Sequence, residues 1–234
     1  TIEMAEKASK AFLDSLQGFD EYSDEKNQEI RRIEKRLDNM EDELNAFLVK
    51  ISGSDVSAAD NNKINSIMHS IVDIERISDY AMNMIILAEN MNNRRIRFSG
   101  AATEEIAVLR KAMDEILTNT INCYKSDNRK IASTVEPLGD AIKGIIIKMR
   151  KNHVKRLRNG ECDGELGVVL TDYINYCDRV AGHCSNVAIN VLQAGNFVFS
   201  EHDYFRELSF EEKEAFENNL SMYKKKFALP EESK

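Results

Sequence analysis

Three pairs of acidic residues share one spacing: Glu34 with Asp38, Glu75 with Asp79, and Glu136 with Asp140. Residues four apart on a helix lie one turn above one another on the same face, so each pair presents two carboxylates side by side. Such like charges repel by roughly 0.2–0.5 kcal/mol when nothing compensates them. A hard or borderline cation would relieve that repulsion and take the oxygens as ligands. Spacing alone is a weak signal, because 40 acidic residues among 234 give about seven such pairs by chance. Where the pairs fall along the chain is the stronger one.

Apolar residues recur at three-to-four spacing through most of the sequence, which argues for helices. The pattern predicts helices over 2–17, ended by Gly18; over 24–51; and from an N-cap at Ser57 to about 92. After the basic hinge Arg94-Arg95-Ile96-Arg97 it predicts helices over 103–124, 127–158 and 164–193, and a short one over 210–226 after Ser209. Pro137 should kink or break the fifth of these. If the second and third helices form an antiparallel hairpin, the pairs 34/38 and 75/79 lie equally far from the turn at 52–57, and so at the same height. The pair 136/140 faces Asp178 about the turn Asn159-Gly160 in the same way, except that Gly182 stands where a fourth carboxylate would be. The candidate metal ligands are therefore Glu34, Asp38, Glu75 and Asp79 in one group and Glu136, Asp140 and Asp178 in another. The plain alternative is a solvated acidic seam, or one neutralised by Arg76 and Arg179.

The two halves are alike. At an offset of 102, Tyr22, Glu34 and Asp38 fall on Tyr124, Glu136 and Asp140. At an offset of 103, Ile67, Ile71, Arg76, Ile77 and Asn83 fall on Leu170, Ile174, Arg179, Val180 and Asn186. An all-α protein of two tandem three-helix bundles follows, with repeats over 1–95 and 100–194 and a C-terminal extension over 195–234 carrying a short helix.

Composition narrows the function. Only 2 prolines and 10 glycines interrupt the chain, and its net charge is −8, which argues against nucleic acid as a partner. The four cysteines form no CxxC pair and read as reduced; Cys177 and Cys184, near His183, are more simply core residues than zinc ligands. The uncharged run Val180 to Ser200 carries His183 and several amides, so it is not read as a membrane span. Six Lys/Arg between Lys148 and Arg158 read as a solvated helix end, or as a contact for anionic lipid headgroups. None of the four histidines has Glu three residues before it, and there is no phosphate-cradling glycine loop and no hydrolase elbow, so no enzyme is expected.

The stretch Glu75-Arg76-Ile77-Ser78-Asp79-Tyr80-Ala81-Met82-Asn83 resembles the signature of PhoU proteins, and Asp178-Arg179-Val180-Ala181-Gly182-His183-Cys184-Ser185-Asn186 resembles its second copy. Tyr80 in place of His, and Gly182 in place of Asp, depart from that pattern. The resemblance covers about residues 5–194 and is closest to the cytosolic domain of bacterial sodium/phosphate cotransporters. It implies two bundles side by side, with a multinuclear Fe, Zn or Mn cluster on the carboxylates. The location it implies is the cytoplasmic face of the cell membrane. It further implies a regulatory role toward a transmembrane transporter domain in cis, with a free-standing PhoU-type regulator as the alternative. An anionic membrane surface and a second copy of the chain are the further partners expected.

Overall fold

Side-chain caps set most of the helix boundaries. Ser23, Ser57, Ser99, Asn128 and Ser209 each sit at an N-cap with a side-chain oxygen accepting from a backbone N–H of the first turn. Ser209 and Glu212 complete a reciprocal capping box. In the computed structural model, residues 1–53, 55–162, 164–193 and 208–230 are described. They form α1 (Ile2–Gln17), α2 (Asp24–Ser52), α3 (Ala58–Arg94), α4 (Gly100–Ser126), α5 (Arg129–Arg158), α6 (Gly164–Leu192) and α7 (Phe210–Lys226), with no strand. Of the C-terminal extension, 195–207 and 231–234 lie outside the described residues, as does Ser54 in the first interhelix turn.

One boundary differs from the sequence expectation, and one expected break does not occur. α4 begins at Gly100 rather than near Thr103, because Ser99 is the cap and its carbonyl accepts from Thr103 N. α5 is not broken at Pro137. A proline removes the hydrogen bond to the carbonyl four residues back. Here that carbonyl belongs to the exposed Ser133, where water can take the bond.

α1, α2 and α3 pack on one another, and so do α4, α5 and α6; the two bundles meet through α1 against α4 and α3 against α6. Each helix at that junction thus faces its own counterpart, the arrangement a two-fold axis produces. α3 and α6 run antiparallel: His183 Nδ1 lies 2.9 Å from Asp73 Oδ1, Asn186 donates to the same oxygen at 2.9 Å, and Tyr80 packs against Tyr176 with ring centroids 5.8 Å apart. At an offset of 103, Tyr80 and Tyr176 are the counterparts of His183 and Asp73, so one contact occurs twice with different chemistry. Apolar side chains of both bundles form one continuous core that includes Phe12, Leu37, Met84, Met113, Ile142 and Tyr173. α7 lies against α5, burying Leu220, Tyr223 and Phe227. No helix among the described residues is long and apolar enough to cross a membrane.

The reading of the 148–158 segment as wholly solvated needs correction at Arg156. That guanidinium is buried, with its side chain 3% exposed, and it donates to both oxygens of Glu105 at 3.1 and 2.9 Å. Asn152 donates to Glu105 Oε1 at 2.6 Å. The pair ties α5 to α4 in a setting where either charge alone would be stranded. Arg156→Met should therefore cost about 3–5 kcal/mol of unfolding free energy. Glu105→Leu combined with Arg156→Met should recover most of that loss in chemical denaturation, because no lone charge then remains.

Candidate metal centre

The hairpin of α2 and α3 brings one acidic group together. Glu34 and Asp38 from α2 and Asp79 from α3 each offer a carboxylate oxygen, and these oxygens all lie within 4.8 Å of one another. Glu34 and Asp79 are partly buried and Asp38 is exposed. Glu75, one turn before Asp79, is 13% exposed in its side chain. Its carboxyl is pushed up to about 7, first by burial and then by the charge of Asp79. Burial followed by neighbouring carboxylates likewise raises Glu34 and Asp38.

Glu41 borders this group, although its oxygens, like those of Glu75, are not among the ones that lie within 4.8 Å of one another. Its carboxyl is raised by burial and by Asp42, with smaller contributions from Asp38 and Asp79, while Arg76 opposes the rise. It follows Asp38 by three residues and Glu34 by seven, so it continues their face of α2. A search for acidic residues four apart overlooks it; the heptad spacing from Glu34 was the signal present in the sequence. Arg76 opposes the rise at Glu75 and Glu41, and Arg31 opposes it at Glu34. Arg76 lies 2.9 Å from Asp79 Oδ2 and 3.7 Å from Glu75 Oε2, so the arginine-neutralised seam is partly realised here.

The second repeat does not gather its three acids in this way. Glu136 is buried, Asp140 lies 3.3 Å from Lys143 Nζ, and Asp178 is half-buried. Among the described residues these three form no group with ligand oxygens in mutual reach. Lys143 is the counterpart of Glu41 at the offset of 102, so one site has an extra carboxylate where the other has an internal cation. Arg179, the counterpart of Arg76, is exposed. A Cβ built on Gly182 meets nothing within 4 Å, so the missing fourth carboxylate leaves room rather than serving a close helix contact.

The donor set of the first site suits a hard or borderline divalent cation: oxygen ligands only, in acidic excess, on carboxyls raised first by burial and then by one another. A cation would also compete with Arg76 for Asp79. The thiols are not part of any such group. Cys123, Cys177 and Cys184 are buried, and burial drives all three thiols up, Cys184 to about 12, which keeps them protonated and unreactive. The motif residues Tyr80, His183 and Asn186 serve the contact between the bundles rather than the carboxylates.

Residues 1–88 match the PhoU domain family. That stretch carries α1, α2 and most of α3, and with them all five carboxylates of the first site. No curated protein sequence matches the chain. Among solved structures the chain is similar to PhoU from Pseudomonas aeruginosa, with a TM-score of 0.76 and 17% identity over 82% of this chain and 91% of that one. At that identity the likeness is one of fold: an all-α pair of three-helix bundles.

Two outcomes test the site. Asp79→Ala should weaken binding of manganese, iron or zinc at the first site by at least tenfold in calorimetric titration, and Gly182→Asp should strengthen binding at the second. Metal found only in the second repeat by anomalous scattering would refute the assignment.

A further test concerns pH. A carboxyl raised in the folded state holds its proton more tightly there than in the unfolded chain, so stability falls as pH rises through that range. For metal-free protein the loss should run from about 4.5, the ordinary value for Glu, to about 7. Screening at this half-buried position leaves the effect at about 1–2 kcal/mol. Melting temperature should drop across that window, and Glu75→Gln should flatten the drop. An unchanged profile in Glu75→Gln would remove Glu75 from the cluster.

Proposed function

We propose that this chain is a PhoU-like regulatory domain acting in phosphate uptake and its signalling, with a divalent cation held by Glu34, Asp38, Glu41, Glu75 and Asp79 and no catalysis of its own. The observation that carries the reading is a coincidence: the segment that matches the PhoU domain is the one whose helices converge the carboxylates. The cation would supply charge neutralisation and stiffen the α2–α3 hairpin. Arg76, exposed and paired with Asp79, is the group it would displace.

A PhoU-type regulator is the better-supported form, because a solved structure that resembles the chain is a PhoU, matched over 91% of its length. The cotransporter tail expected from the sequence draws no separate support from either comparison. Both forms share one test. Phosphate uptake and a phosphate-responsive reporter should differ between cells with and without the domain, and Asp79→Ala should reproduce part of the deletion. Identical uptake and identical reporter output would overturn the regulatory reading. Co-purification separates the forms: a regulator in trans brings down a permease or sensor kinase, whereas a tail is encoded in one frame with membrane spans.

A further inference from the structure

The second half of α5 carries a surface that the carboxylate site does not use. From Ala141 to Gly160 there is no acidic residue, in a chain whose net charge is −8. The counterpart stretch of the first repeat, 39–56, holds Glu41, Asp42, Glu43 and Asp55 against one lysine. On a helix turning about 100° per residue, Ile147, Lys151, Val154 and Arg158 fall on one face, flanked by Lys148 on one side and Arg150 and Leu157 on the other. That face is open: Ile147 is 54% exposed, Val154 46% and Leu157 37%. Met149 and Arg156, on the opposite side, are buried. Lys148, Lys151 and Arg158 are exposed and make no ion pair among the described residues, while Arg150 donates only to the neutral amide of Asn175. The exposed Arg95 and Arg97 lie at the same end of the molecule, because Arg94 pairs with Glu165 at the start of α6. Among the described residues, Glu104, Glu161 and Glu165 are exposed acids at this end, and Glu165 is engaged by Arg94.

We infer that this face of α5 docks on an anionic lipid bilayer. Cations set beside singly spaced aliphatic side chains on one open helix face fit the boundary between headgroups and acyl chains: the aliphatics enter the boundary while Lys and Arg meet lipid phosphates. A protein partner would favour a contiguous aromatic centre, and this face has no aromatic residue. The inference is independent of the carboxylate site and goes beyond the regulatory role proposed above.

Flotation of the intact chain with phosphatidylcholine vesicles, with and without phosphatidylglycerol, tests it. Binding is expected only with the anionic lipid and should fall as salt is raised. Lys151→Glu combined with Arg158→Glu should reduce it more than tenfold, since each cation near an anionic surface is worth roughly fivefold. Ile147→Ser with Val154→Ser should reduce it severalfold while leaving the salt dependence. Circular dichroism of these surface variants should be unchanged. Arg32→Glu with Lys50→Glu, and Asp79→Ala, should leave flotation intact, so a failed metal site does not mask the result. Equal binding to neutral vesicles, no binding to anionic ones, capture by polyglutamate instead, or indifference to the charge reversals would overturn the inference.

Discussion

One helix must satisfy three neighbours at once. α3, 37 residues long, packs against α1 and α2 within its own bundle and against α6 across the junction. Its side chains are partitioned accordingly. Ile74, Ile77, Ala81, Ile85 and Ala88 are buried in the core, Glu75 and Asp79 turn to α2, and Asp73 and Tyr80 reach α6. The 3.6-residue turn lets these sets interleave along one stretch of chain without conflict. It also means that the acidic group is fixed from below by an apolar interface. The carboxylates are held close because the helices beneath them have no other way to bury that core, and the repulsion of a few charges is small beside it.

That order of magnitudes explains why the site persists with its carboxyls pushed upward. Burying a single Leu or Ile side chain is worth about 1.5–3 kcal/mol, and the α2–α3 and α1–α3 interfaces bury many. A core so arranged holds the cluster together, with Arg76 offsetting part of its charge. The second repeat does not gather its acids, and Asp140 there lies 3.3 Å from Lys143.

Much of this was legible in the sequence because periodicity and caps act locally. Gly18, Ser57 and Ser209 mark helix ends through their own backbone and side-chain preferences, and the equal distances of 34/38 and 75/79 from the turn follow from hairpin geometry. What escaped depended on tertiary placement. The fourth helix reads as starting near Thr103 until Ser99 is seen to cap it, and Pro137 reads as a kink or break until its orphaned carbonyl is seen on an exposed turn. Arg156 cannot be told from its exposed neighbours by type; its burial depends on Glu105, 51 residues away. Glu41 lies seven residues after Glu34, outside the four-residue step that defines the pairs.

The junction between the bundles shows what duplication within one chain permits. In a homodimer every contact across a two-fold axis occurs twice with identical residues. Here the two copies are free to differ. Tyr80 meets Tyr176 as a ring contact, while the equivalent His183 and Asp73 meet through a polar contact that Asn186 reinforces. The departure from the PhoU signature at Tyr80 is thus a matter of the junction, where an aromatic ring fills the place of an imidazole. The departure at Gly182 is a matter of the site, where a ligand is absent and the space stays open. Glu41 against Lys143, and the acidic 39–56 against the basic second half of α5, follow the same division. The fold is repeated and the charge is not: one bundle concentrates carboxylates between its helices, and the other presents cations on its outer face.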